Sequence, residues 1–228
     1  MPREIKMNNK TKLIDLSHTI HDGLITYKGL PAPLICDYLA RDACEGVYEE
    51  GTTFQIGKIE MLSNTGTYID TPFHRFVDGK DLSEIDLEGV ANLDGIVIYI
   101  DENTKAITAK LLQNYDVKGK AVLIHTNWSR HWGSDDYFEN DPFLTEDAAI
   151  YLKEQGVKLV GIDCHNIDDT SGKARPVHTV LLHNEIFIVE HMTNLAQLPK
   201  NEFKFYAVPV KVKGMGTFPI RAFAQIKA

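Results

Sequence analysis

The chain has 228 residues, 43% of them hydrophobic, enough to bury a core of domain size, and it reads as one domain over residues 1–228. Its 24 Lys and Arg stand against 32 Asp and Glu, and no basic run could neutralise several consecutive phosphates, which excludes nucleic acid as a partner. No segment approaches the roughly 18 consecutive apolar residues of a membrane helix, the N-terminus lacks an apolar signal core, and Cys36, Cys44 and Cys164 form neither a ligand pair nor an even set, so a cytoplasmic protein is expected.

In chain order, the first strand is expected at 54–62. The stretch that follows, LSNTGTYIDTPFHRF (62–76), carries Asn64, Tyr68, Asp70 and His74 at even-numbered positions. If a strand continues through residues 62–70, then Asn64, Gly66, Tyr68 and Asp70 project to one face, because strand side chains alternate with period two; Pro72 then stops the strand and leaves His74 on a turn. Spacing alone is weak ground for a site. A stray Asp and His at a strand end are more often solvated groups, with Gly66 and Pro72 kept for backbone reasons.

Residues 93–127 read as a β-branched strand, a helix capped by Thr108 and ended near Gly119, and a second buried strand, together one βαβ unit. Residues 128–143, aromatic, charged and without periodicity, read as a long loop whose Trp128 and Trp132 either wall a substrate pocket or pack the loop onto the surface. A second helix is capped by Thr145, carries Glu146 and Asp147 in its first turn and ends at Gly156. AVLIHT and KLVGID are near-continuous apolar runs, as parallel strands covered on both faces require, and the carboxyl ends of such strands are where ligands bind. Asp163 is therefore expected to support a site from behind, and Cys164 to be a buried small residue. Further strands are expected at 186–190, 203–212 and 219–226, giving a mixed sheet. His178 opens an apolar segment after a proline, and Glu190 ends the run IFIVE; the histidines at 18, 21, 125, 131, 165, 183 and 191 are scattered and read as structural.

Taken together these segments resemble the cyclase family of metal-dependent hydrolases, which includes bacterial kynurenine formamidase and isatin hydrolase. NTGTYIDTPFH is similar to the signature His-x-Gly-Thr-His-x-Asp-x-Pro-x-His, matched at Gly66, Thr67, Asp70, Pro72 and His74. LIDLSHTI (13–20), GIDCHNID (161–168) and PVHTVLL with IVEHMTNL resemble the family's N-terminal, central and C-terminal segments. The resemblance implies an α/β fold, a swivelling β/β/α domain with a mixed sheet that forms homodimers. It also implies Asp70, His178 and Glu190 as metal ligands and His74 as the proton-transfer residue.

Asn64 and Tyr68 stand where the signature has histidines. An amide oxygen is a poorer zinc ligand than imidazole, and a phenol with a pKa of about 10 ligates only when deprotonated, which argues against a second metal. What remains is one divalent cation, zinc or manganese, on Asp70, His178 and Glu190, with Asn64 as a weak additional oxygen. Tyr68 either donates a hydrogen bond to a developing oxyanion or plugs the space of the missing metal. The expected function is metal-dependent hydrolysis of a small amide, formamide or lactone, the closest named activity being that of arylformamidase on N-formylkynurenine in tryptophan breakdown. The alternative is a non-catalytic homologue that binds a small carboxylate or amide in the same pocket.

Overall fold

A computed structural model describes residues 10–227. Its strands are β1 (Thr11–Asp15), β2 (Leu34–Leu39), β3 (Ile56–Glu60), β4 (Tyr68–Asp70), β5 (Leu93–Tyr99), β6 (Ala106–Ile107), β7 (Ala121–His125), β8 (Phe143–Leu144), β9 (Leu159–Ile162), β10 (Phe187–Glu190), β11 (Phe203–Tyr206), β12 (Thr217–Pro219) and β13 (Phe223–Lys227). Its α-helices are α1 (Ala109–Leu112), α2 (Glu146–Glu154) and α3 (Pro176–His183).

Nine strands form one sheet in the order β1-β13-β11-β5-β7-β9-β10-β4-β12. The central four, β5, β7, β9 and β10, are parallel, and every outer pairing is antiparallel, so the mixed sheet expected from the sequence is the one found. Alternation along the central strands feeds two cores. Ile96, Ile98, Val122, Ile124, Val160 and Ile188 pack under α1–α3 against Leu112, Leu152, Val177 and Leu181. Their neighbours Val97, Leu123, Phe187 and Val189 point the other way, into a cluster with Ile14, Phe203, Phe205 and Ala224.

That second cluster needs no helical layer because the sheet curls over it. β12 and β13 are separated by only Ile220–Ala222, yet β12 pairs with β4 at one end of the strand order while β13 pairs with β11 and β1 near the other. Ile220 donates to the Thr67 carbonyl at 2.9 Å, and the Leu16 amide donates to the Ala222 carbonyl at 2.9 Å, which holds the curl closed.

Several expected elements differ. β3 is shorter than 54–62 and lies outside the main sheet, in a hairpin with β2 whose strands are largely exposed. Residues 62–67 are loop, because Gly66 turns the chain at φ +65°, where an added Cβ would stand 2.8 Å from Ile20. The helix after Thr108 is a single turn. The strand expected over 203–212 ends at Tyr206, shortly before Pro209 removes a donor, and the one expected over 219–226 splits into β12 and β13 where the chain crosses between the two ends of the sheet. The stretch around His178, with no α-helix expected there, forms α3.

Candidate metal centre

Strand register places the first donors. β4 lies between β10 and β12, and the pairings set Glu190 opposite Tyr68 and Thr217 opposite Asp70. Beyond Asp70 the chain enters a 3-10 turn, Pro72–His74, whose fixed proline φ suits a first helical position. The Thr71 amide donates to the Gly216 carbonyl at 2.7 Å, and only a glycine at 216 lets β12 lie this close, since a Cβ there would stand 2.2 Å from the His74 nitrogen.

Thr217 then fixes His74. Its hydroxyl lies 2.6 Å from Asp70 Oδ1 and 2.8 Å from His74 Nδ1. A carboxylate only accepts, so the single hydroxyl proton goes to Asp70 and Thr217 accepts from Nδ1–H. The His74 Nε2 is thereby left with its lone pair, 3.8 Å from Asp70 Oδ1, on a side chain 35% exposed to the cavity.

His178 is fixed from the opposite side by Asp168. One oxygen of that carboxylate accepts from the Val177 amide at 2.8 Å, and the other accepts from the His178 amide at 3.0 Å and from its Nδ1 at 2.6 Å. The carboxylate caps the start of α3 and orients the ring in one step. Nε2 faces Asp70 Oδ2 at 3.6 Å and Glu190 Oε1 at 3.8 Å. Burial alone would lower the His178 pKa, but the hydrogen bond to Asp168 and the charges of Glu190 and Asp70 outweigh it and raise the value to about 10.

Glu190 is wholly inside. Its Oε1 accepts from the Ile167 amide at 2.7 Å, and its Oε2 accepts from the Tyr68 hydroxyl, which also meets the hydroxyl of Tyr27. Burial raises the Glu190 pKa, with the His178 charge opposing and Asp70 adding. Burial and the Glu190 charge hold Tyr68 well above the usual phenol range, so it stays a neutral hydroxyl.

Asp70, His74 and His178 each offer one ligand atom, and these atoms lie within 4.8 Å of one another. Asp70 Oδ2 is buried and has no hydrogen-bond partner among the described residues. A buried carboxylate oxygen left unpaired is costly, and a cation shared with the His178 imidazole removes that cost, so the residues fit a divalent metal.

The remaining candidates are divided between this cavity and other parts of the fold. Asn64 is on the loop before β4; its Oδ1 accepts from Ser63 at 3.1 Å while it lines a cavity of about 310 Å³ with Tyr27, Leu30 and Tyr68. Asp163 does not back the centre: it holds His125 Nδ1 at 3.0 Å and Thr126, and the supporting role falls to Asp168, five residues on in the same GIDCHNID segment. Trp132 stacks on His18 and Trp128 bonds the Tyr137 carbonyl, and neither lines the cavities beside His74. Cys164 is buried, as expected. Tyr27 and Thr217 carried no sequence signal, because only strand register and the fold of the 20s segment bring them in.

A sequence model of the cyclase family matches residues 14–169. The chain belongs to the cyclase family. Kynurenine formamidases of Bacillus anthracis and Bacillus cereus are relatives: the first is 27% identical over 213 residues, covering 93% of this chain and 96% of its own, and the second is 30% identical over 211 residues, covering 92% and 95%. Isatin hydrolase A from Labrenzia aggregata superposes with a TM-score of 0.82 at 21% identity, covering 96% of this chain and 94% of that one, so the curled mixed sheet is a cyclase-family fold.

Proposed function

We propose that this cyclase-family chain is a metal-dependent hydrolase acting on the C–N bond of a small amide or formamide, or on a lactone, with arylformamidase as the closest named activity. The observation that carries the reading is the unpartnered, buried Asp70 Oδ2 facing His178 Nε2. Asp70, His178 and Glu190 would hold one cation, zinc or manganese, since a mixed carboxylate and imidazole set suits both; Asn64 stands at the cavity wall with a weak oxygen to add. When bound, the cation supplies Lewis acidity and an activated water.

The chain's own groups do the rest. His74, held by Thr217 in the tautomer that frees Nε2, takes a proton and returns it to the leaving group. Tyr68, whose hydroxyl is committed to Glu190, aims that carboxylate at the centre, and Tyr27 backs it. Glu190 itself is held at both oxygens, so its orientation is set before substrate arrives.

The chain acts as one domain, with its first described strand paired to its last. It functions as a homodimer, for which the exposed apolar residues of β2 and β3 supply a surface, and it works in the cytoplasm, consistent with three free cysteines.

The test is a panel of formanilide, N-formylkynurenine and simple lactones with protein loaded with Zn²⁺ or Mn²⁺. Turnover is expected for at least one amide, with His74→Ala lowering kcat by about 10²- to 10⁴-fold at unchanged metal content. Stoichiometric metal with no turnover anywhere on the panel favours the non-catalytic binder.

A further inference from the structure

Two cavities meet at the centre. The 310 Å³ cavity reaches toward Tyr27, Leu30 and Leu62, while a larger one of about 610 Å³ opens on the other side, and both are lined by His74, Asn166 and His178. The second cavity differs in charge. Arg75, Lys173 and Arg175 line it against a single acid, Glu146.

That concentration of positive charge is unusual in a chain of net charge -8. Lys28, Lys80, Lys120, Arg130, Lys204 and Arg221 each have a carboxylate within 3.6 Å. Among the described residues, Arg75, Lys173 and Arg175 form no such pair, as is true of most of the other lysines and arginines, and what sets these three apart is that they line one cavity. Arg175 is nonetheless fixed in place: its Nη1 donates to the carbonyls of Ala174 at 2.7 Å, Gly172 at 3.1 Å and Asp169 at 3.3 Å, and its remaining nitrogens are left for another acceptor. Arg75 donates from Nε to Thr179 at 3.3 Å, which leaves the two ends of its guanidinium fork unused.

Resting on the hydrolase reading above, we propose that the substrate spans both cavities. Its scissile amide lies at the His74–His178 junction, an apolar substituent points toward Tyr27 and Leu30, and a carboxylate on the far side of the amide is received by Arg75, Lys173 and Arg175. A formyl group alone would leave the larger cavity empty. A cleft in which three cations face one carboxylate, Glu146, carries a net positive charge that favours an acid, and guanidinium groups match carboxylate geometry.

The probes are hippurate and N-phenylsuccinamate, which carry a ring and an acid on opposite sides of the amide, compared with their neutral carboxamides. Metal-loaded enzyme is expected to favour each acid by roughly tenfold or more in kcat/KM, as charge-assisted hydrogen bonds allow, with the ratio shrinking as salt is raised. Because Arg175 also ties loop carbonyls, the Arg75→Met/Lys173→Met variant is measured beside Arg175→Met; the acid-to-amide ratio should fall toward one in both. Equal handling of acid and amide by the wild type, or a preference that survives in both variants, overturns the proposal. If no probe turns over while formanilide does, the cleft proposal is wrong and the hydrolase reading stands. If nothing turns over, the hydrolase reading fails, and calorimetric titration of the same acids and carboxamides still decides whether the cleft selects the acid.

Discussion

His178 shows how one carboxylate can set a ligand's geometry. Asp168 accepts two amides of α3 and the ring Nδ1–H, so the direction of Nε2 is a property of the helix start as much as of the histidine. Asp168→Asn keeps one acceptor for the amides but removes the charge behind the ring. Metal affinity should fall by about 10- to 100-fold with the fold retained, read by competition against a chelator and by circular dichroism. Unchanged affinity would mean that the ring orients itself. At this scale the sequence pointed to Asp70, His74, His178 and Glu190 through a signature and distant partner segments ordered along the chain, and the fold brings these side chains close together. It did not disclose Asp168 over Asp163, since both are acids after the same apolar strand and only the three-dimensional path assigns them.

At the level of elements, the N-terminal segment is tied to the 128–143 loop by a ring pair. His18 stacks on Trp132 with centroids 4.0 Å apart and planes 6° from parallel. Burial pulls the His18 pKa down to about 4, with the charge of Asp163 opposing only in part. Between the unfolded value of 6.5 and about 4, the unfolded chain therefore binds the extra proton, so stability falls as pH drops through that window and levels below it. Urea midpoints measured across the window should fall more steeply for wild type than for His18→Gln; parallel slopes would show that the stacked pair is not a titrating element. The elements legible in the sequence were those whose pattern is set locally, β7 and β9 by apolar runs buried on both faces. The α3 helix was not, because its cap is Asp168, eight residues upstream, and loop 62–67 imitated a strand through the even spacing of Asn64 and Gly66 until the backbone turned at Gly66.

For the molecule as a whole, the strand order assembles the centre, since β4, β10 and β12 are distant in sequence and neighbours in the sheet. The β2–β3 hairpin lies outside that sheet, with Leu34 51%, Tyr38 79%, Ile56 48% and Ile59 57% exposed. An apolar arm of this kind is suited to a second copy of the chain, and sedimentation should give a dimer that Tyr38→Asp/Ile59→Asp weakens; a monomer at all concentrations would contradict it. Turnover depends on the donors gathered at Asp70 sharing a cation. Elemental analysis of protein purified without chelator decides this most directly: about one equivalent of zinc or manganese in the wild type and almost none in Asp70→Asn is the predicted result, whereas wild type that stays metal-free after incubation with either ion, or Asp70→Asn that retains it in full, would contradict the account.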